Sequence, residues 1–264
     1  MSEIMSETIL EVCEVTKRFG GLVANSDISF TVNKGEILSV IGPNGAGKST
    51  LFKMISSFLP TTKGEVLFKG ERISNLSPHV VARKRVVRTF QETTIFKSMT
   101  VRESIIVAHH LRAKASLFGY FIGSPVARDD EKEFGESADA ILAFLQMSAL
   151  AGEVASSLPQ GHLRTLGIAI GLATDPEILL LDEPFAGMNH DETMRMVELV
   201  RKLRNRGLTI LLVEHDMPAV MKISDRIVVL NFGKKIAEGS PADIQENTEV
   251  IEAYLGREDD LLGL

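Results

Sequence analysis

Nine consecutive residues constrain this chain more than its overall composition does: Gly42-Pro43-Asn44-Gly45-Ala46-Gly47-Lys48-Ser49-Thr50. They follow the apolar run Ile37 to Ile41 and open a stretch, Lys48 to Phe58, whose apolar residues recur at helical spacing. A glycine-rich turn between a buried strand and a helix fits the phosphate-binding loop. Its glycines let backbone N–H groups curve around an anion, the helix points its positive end there, and Lys48 adds a full charge for the outer phosphates. Ser49 is expected to hold magnesium through its hydroxyl. A helix terminus gives an anion only ~0.3–1 kcal/mol, or up to ~2 when partly buried. Lysine, metal and a grip on the base must add to it before a triphosphate is held.

A metal partner is expected downstream, and Ile178-Leu179-Leu180-Leu181-Asp182-Glu183-Pro184 supplies one: a buried strand that delivers two carboxylates at its C-terminal end. That end is the usual ligand edge of an open α/β sheet. Adjacent carboxylates after four apolar residues are costly to bury unpaired, so a cation or a reacting water is the natural explanation. Asp182 suits the magnesium shell, and Glu183 is placed to polarise the water that attacks the γ-phosphate.

The rest of the chain reads as an α/β fold around this pair. Thr209 to Val213 and Ile227 to Leu230 are further apolar runs without polar alternation, as in a mostly parallel sheet covered on both faces. Arg164 to Ala173 and Glu192 to Arg206 are helical in pattern, and Gly207 stops the second. Nearer the start, Ile9 to Val15, Ile28 to Val32 and Glu65 to Phe68 are short strand-like runs with turns between them, which predicts an antiparallel β layer. From about Thr100 to Ser157 there is no strand pattern; helical stretches at Val101 to Leu111 and Asp130 to Leu145 predict a helical insertion.

Composition mainly excludes. The chain has 264 residues and a formal charge of −6, so general nucleic-acid or anionic-membrane binding over its whole surface is not expected. Its single cysteine, Cys13, has no partner in the chain for a disulfide or a zinc pair and reads as a small buried hydrophobe. The greasiest stretch, Leu163 to Leu181, is interrupted by Arg164, Thr174, Asp175, Pro176 and Glu177, so no membrane span is expected. The acidic start, Met1 to Glu7, lacks the pattern of a signal peptide, which points to the cytosol.

With these motifs in order, the chain resembles the ATP-binding-cassette (ABC) ATPases over nearly its whole length. The resemblance implies a P-loop NTPase of RecA-like core, with an antiparallel β layer and a helical subdomain. It implies one domain over 1–264, with 1–91 and 174–264 forming the nucleotide-binding core and 92–173 the helical subdomain. It further implies ATP and Mg2+ as cofactors, with Gly42 to Thr50 around the phosphates. Phe19, in Lys17-Arg18-Phe19-Gly20, matches the aromatic that stacks on adenine. Gln91, after Arg88-Thr89-Phe90, resembles the glutamine that reaches magnesium and water beside the docking groove for a permease helix, with Ile95 and Phe96 as apolar contacts. His215, in Val213-Glu214-His215-Asp216, resembles the switch histidine that contacts the γ-phosphate and orients Glu183. The signature loop, usually Leu-Ser-Gly-Gly-Gln, is here Leu158-Pro159-Gln160-Gly161-His162, retaining Leu158 and Gly161. Pro159 removes a hydroxyl and a backbone donor. Asn189 stands where the family usually has an aspartate that contacts the other subunit.

Within the family the resemblance is nearest the ATPases of branched-chain amino acid uptake. It is carried by Arg88-Thr89-Phe90-Gln91, Phe96, Met99-Thr100-Val101, the long segment His109 to Glu133, the proline-bearing signature and the ending Ala253-Tyr254-Leu255-Gly256. Implied partners are a second ATPase subunit (a copy or a paralogue), transmembrane permease subunits and, indirectly, an extracytoplasmic solute-binding protein, at the cytoplasmic face of the inner membrane. Three alternatives remain open at this level: a regulatory subunit with weak catalysis, suggested by Pro159 and Asn189; a lipopolysaccharide-export or urea-uptake type ATPase; and a soluble ABC protein acting on DNA or ribosomes, which the acidic balance disfavours.

Overall fold

A computed structural model describes residues 7–89 and 98–255, the last of these by its backbone only. Among the described residues there are ten strands and ten α-helices: β1 (Thr8–Phe19), β2 (Leu22–Asn33), β3 (Ile37–Ile41), α1 (Lys48–Ile55), β4 (Lys63–Phe68), β5 (Glu71–Arg72), α2 (Pro78–Arg83), β6 (Val86–Arg88), α3 (Val101–His109), α4 (Leu117–Phe121), α5 (Pro125–Phe144), α6 (Gln160–Ala173), β7 (Ile178–Asp182), α7 (His190–Asn205), β8 (Thr209–Val213), α8 (Met217–Ile223), β9 (Arg226–Asn231), β10 (Lys234–Gly239), α9 (Pro241–Gln245) and α10 (Thr248–Leu255). Six strands form one sheet in the order β10-β9-β3-β8-β7-β6, and four form another in the order β2-β1-β4-β5. The larger sheet is parallel except for β10, which runs antiparallel to β9. The smaller is the expected antiparallel layer.

The unbroken apolar runs of β3, β7, β8 and β9 are explained by their two covered faces. Leu38, Val40, Leu180, Leu211, Val213 and Val228 face the core shared with the antiparallel layer, where Leu51, Phe52, Met54 and Ile55 of α1 also sit. Alternate residues Leu179, Leu181, Ile210 and Leu212 meet Met196, Val197, Val200 and Leu203 of α7 on the other face. The helix after the glycine-rich loop is therefore clamped between two sheets. A separate core joins Val101 and Ile105 of α3, Ala138 and Leu142 of α5, and Leu166, Ala169 and Ala173 of α6, so the expected helical insertion packs on itself.

Several expectations shift. β1 and β2 are far longer than the runs first read, because a bulged hairpin pairs Arg18 with Val23 and Phe19 with Leu22 at its tip. α6 begins before Arg164, at Gln160, with Pro159 as its N-cap. Cys13 is half-buried in β1 rather than buried; partial desolvation, together with Glu11, Glu65 and Glu14, pushes its thiol up. No helix of the described residues is long and apolar enough to cross a membrane.

Candidate phosphate and hydrolysis site

Strand order brings the candidate residues together. β3 lies between β8 and β9, and β7 lies beyond β8, so the loops after β3, β7 and β8 emerge on one edge of the sheet. The loop after β3 is set by two glycines that nothing larger can replace. A Cβ on Gly42 would lie 2.1 Å from the carbonyl oxygen of Leu230, and one on Gly47 would lie 2.5 Å from Asn25 Nδ2 and 2.6 Å from the Ala24 carbonyl oxygen. Gly47 is also left-handed, with φ 96°, at the N-cap of α1. No side chain caps that helix, so its first-turn N–H groups remain available to an anion. Lys48 is buried and folds back over the loop, donating to the carbonyl oxygens of Gly42 at 2.6 Å and Pro43 at 3.0 Å. Burial lowers its pKa, and the charge of Glu183 works against that shift. Ser49 and Thr50 follow in the first turn, both half-buried.

Asp182 closes β7 in register with Val213 of β8 and is almost fully buried. One carboxylate oxygen accepts from Arg88 Nη2 at 2.6 Å, within a pair whose side chains are 0% and 8% exposed. Its other oxygen, Oδ1, is buried with no hydrogen-bond partner among the described residues. Such an oxygen wants a cation or a water. Among the described residues no group of three or more His, Cys, Asp or Glu is placed to hold a metal alone. A buried, unpartnered carboxylate oxygen at the sheet edge that also carries the phosphate loop fits magnesium, which takes one or two protein ligands and completes its shell with phosphates and water.

Glu183 has φ 49°, an uncommon conformation for a residue with a Cβ, and its N–H donates to the Val213 carbonyl at 2.9 Å. That strain turns the chain sharply out of β7 and leaves the carboxylate half-buried, close enough to influence Lys48. His215 follows β8 on the same edge, its side chain 60% exposed and 3.7 Å from Glu214 through Nδ1. Phe19 stands half-exposed at the β1–β2 turn, with Lys17 Nζ 5.1 Å from its ring centre. Gln91, Ile95 and Phe96 lie outside the described residues, as does Gly256.

Two residues that sequence reading passed over tie the site together. Glu214, fully buried, accepts from the backbone N–H groups of Phe185 at 2.7 Å, His215 at 2.9 Å and Asp216 at 3.4 Å. It thus staples the loop carrying Glu183 to the loop carrying His215. Burial raises its carboxyl above the ordinary value despite these three donors. Asn25, fully buried on β2, donates to the Gly47 carbonyl at 3.3 Å and braces the phosphate loop from the antiparallel layer. The signal for Glu214 was available, as a carboxylate directly after the four apolar residues that end β8; nothing in the sequence singles out Asn25.

The atypical positions have local explanations. Pro159 occupies the N-cap of α6 and donates nothing there, but Gln160, Gly161 and His162 keep their first-turn N–H groups. Leu158 is buried in the helical core beside them. Asn189 caps α7 in a reciprocal box with Glu192, accepting from its N–H at 3.0 Å and donating its own N–H to the carboxylate at 2.9 Å.

The ABC transporter family model matches residues 25–186, and a model for branched-chain amino acid ATP-binding cassette transporters matches 234–260. The high-affinity branched-chain amino acid transport ATP-binding protein BraF of Pseudomonas aeruginosa is 44% identical over 96% of this chain and 99% of its own. The corresponding Escherichia coli protein, LivG, is 43% identical with the same coverage. A nucleotide-free ATP-binding cassette from an ABC transporter superposes with a TM-score of 0.84 at 32% identity, covering 95% of this chain and all of that one. A related cassette in its ADP conformation gives 0.83 at 32% identity, covering 96% and 100%.

Proposed function

The chain belongs to the ABC transporter family, and from that premise we propose that it is the ATP-hydrolysing subunit of an importer for branched-chain or related amino acids. The BraF and LivG proteins to which it is similar are named for that class of uptake, which favours it over the lipopolysaccharide-export, urea-uptake and DNA or ribosome readings. The observation that carries the hydrolytic role is the shared sheet edge: Lys48, Asp182, Glu183 and His215 leave three neighbouring parallel strands at the same end. The division into a nucleotide-binding core, 1–91 and 174–264, and a helical subdomain, 92–173, belongs to this reading.

In the mechanism, the phosphates of ATP lie in the loop Gly42 to Thr50, and Phe19 stacks on the base. Lys48 leaves the carbonyls it now holds to neutralise the outer phosphates, its partial burial keeping that charge poorly screened. Magnesium, held by Ser49, Asp182 and Gln91, would offset charge on the phosphate oxygens. Glu183 polarises the attacking water and takes up its proton as the water oxygen bonds to the γ-phosphorus and the bond to the ADP oxygen breaks; the proton then passes to the released phosphate. His215 reports on the same phosphate, and Glu214 holds the two loops in mutual register. A second cassette, a copy or a paralogue, presents its own Leu158–Gly161 segment to the γ-phosphate across the interface. Permease subunits bring the pair to the cytoplasmic face of the inner membrane, and a solute-binding protein feeds the permease from outside.

Glu183→Gln in the assembled transporter tests this reading. Nucleotide binding is expected to persist while steady-state hydrolysis falls roughly 10²–10⁴-fold, as for loss of a general base. Unchanged turnover would refute the role of Glu183.

A further inference from the structure

The carboxylate of Asp182 is engaged on one side only, and the group that engages it comes from outside the loops that carry the site. Arg88 ends β6, the edge strand of the larger sheet, and stands opposite Leu180 of β7 in parallel register. From there its side chain reaches along β7 to Asp182, where Nη2 donates to Oδ2 at 2.6 Å. The backbone beneath it is pinned at both ends of β6. The N–H groups of Glu177 and Ile178 donate to the Arg85 carbonyl at 2.9 and 3.2 Å, and the Thr89 N–H donates to the Leu180 carbonyl at 2.9 Å. Beyond the end of α1, the Phe58 ring lies 5.8 Å from the guanidinium carbon. The arginine is therefore fixed at its root and bounded at its head.

Joining two strands does not call for such a pair. A buried ion pair holds strands together no better than packed apolar side chains of the same size, and the ladder already ties β6 to β7. An arginine that served stability alone would best spend its fork on both carboxylate oxygens. Here one bond is made, and both Asp182 Oδ1 and Arg88 Nε are buried without a hydrogen-bond partner among the described residues. The unspent oxygen is the one that fits magnesium. A guanidinium held on Oδ2 stops the carboxylate from rotating or from closing on a cation with both oxygens. Magnesium needs that restraint, because it accepts only near-octahedral geometry and keeps most of its shell for phosphates and water.

On the reading of Asp182 as a magnesium ligand, on which this rests, we propose that Arg88 is a positioning residue for hydrolysis. It fixes the rotation of the Asp182 carboxylate through Oδ2, so that Oδ1 alone is offered to the magnesium that arrives with the nucleotide. Arg88 acts through Asp182, not by contact with the phosphates.

The test measures binding of a fluorescent ATP analogue to the purified full chain, once in a chelator and once in excess Mg2+. The readout is the factor by which magnesium tightens binding. Loss of a group that orients a metal ligand typically costs ~10–100-fold in metal affinity, so Arg88→Met should lower this factor about tenfold or more while the metal-free affinity stays that of the wild type. A merely structural role would weaken binding alike with and without magnesium and leave the factor unmoved. Asp182→Asn should lose the factor too, and adding Arg88→Met to it should lose nothing further, since the two act as one unit. Arg88→Lys keeps the buried charge on a side chain one bond shorter, and its factor should fall severalfold; it decides the matter if a thermal scan shows that the methionine variant does not fold. An undiminished factor in Arg88→Met or Arg88→Lys, equal losses in both buffers, or a further loss in the double variant would overturn the proposal. A wild type that gains nothing from magnesium would instead overturn the reading of Asp182, and the role of Arg88 with it.

Discussion

Replacing Glu214 probes the joint between the hydrolytic loop and the sensor loop. In Glu214→Ala the N–H groups of Phe185 and His215, which donate at 2.7 and 2.9 Å, lose their acceptor. The carboxylate is wholly buried, so water has no ready path to replace it. At ~1–3 kcal/mol per unsatisfied donor the loss is ~2–6 kcal/mol. Removing a buried charge returns part of that, because desolvation already holds the Glu214 carboxyl above its ordinary value. A net loss of about 2–4 kcal/mol is expected, which lowers the thermal midpoint by about 4–16 °C for a chain of this size. Glu214→Gln isolates the charge. The folded protein binds the Glu214 proton more tightly than the unfolded chain, so this group's contribution is fully present below the unfolded value of 4.5 and is lost as pH rises through the folded value. Glutamine has no such titration. Thermal scans of wild type and Glu214→Gln should therefore show the wild-type advantage largest near pH 4 and shrinking toward neutrality. A difference that is flat with pH, or that grows as pH rises, would refute the assignment of a strained buried carboxylate at this joint.

Other consequences are as direct. Gly47→Ala places a methyl group 2.5 Å from Asn25 Nδ2 and 2.6 Å from the Ala24 carbonyl, on a backbone at φ 96°. Titration with a fluorescent ATP analogue should show binding reduced at least tenfold, with a lowered thermal midpoint; near-normal affinity would mean the loop is not held as described. The chain has two tyrosines and no tryptophan, so its near-ultraviolet titration reports Tyr120 and Tyr254 alone. Burial and Asp130 push Tyr120 up to about 12, and burial raises Tyr254 even though the Gly42 N–H works the other way. Absorbance at about 295 nm should therefore show the tyrosinate signal displaced above the ordinary pKa of ~10 while the fold persists, with Tyr120 the last to ionise; a full two-tyrosine step at the ordinary value would contradict both environments.

Much of the sheet was legible because its central strands are covered on both sides. β3 and β8 begin and end where their apolar runs do. Elements that announce themselves weakly escaped: β6 has only Val86–Arg88, and β10, Lys234–Gly239, is an exposed edge strand whose charged residues mask it. The phosphate loop and its two carboxylates were readable as local motifs. What holds them was not, since Asn25 reaches Gly47 across the gap between sheets, and Arg88 reaches Asp182 from an edge strand 94 positions away in sequence. Asn189, noted in the sequence only for an expected intersubunit contact, has a local role: it is the start of a helix, a role any good cap fills.

The walls around the phosphate loop are made largely of backbone. Gly42 is confined by the carbonyl of Leu230, and Gly47 by the carbonyl of Ala24. A side chain can be exchanged by mutation; a main-chain carbonyl cannot. Exchanging a wall side chain leaves its carbonyl in place so long as the strand keeps its path, whereas the two glycines that the walls enclose have nowhere to go. Tolerance to change around this site should be sharply uneven over a few ångströms: permissive at half-buried Ala24, limited to apolar exchange at Leu230 in the core, and forbidding at Gly42 and Gly47.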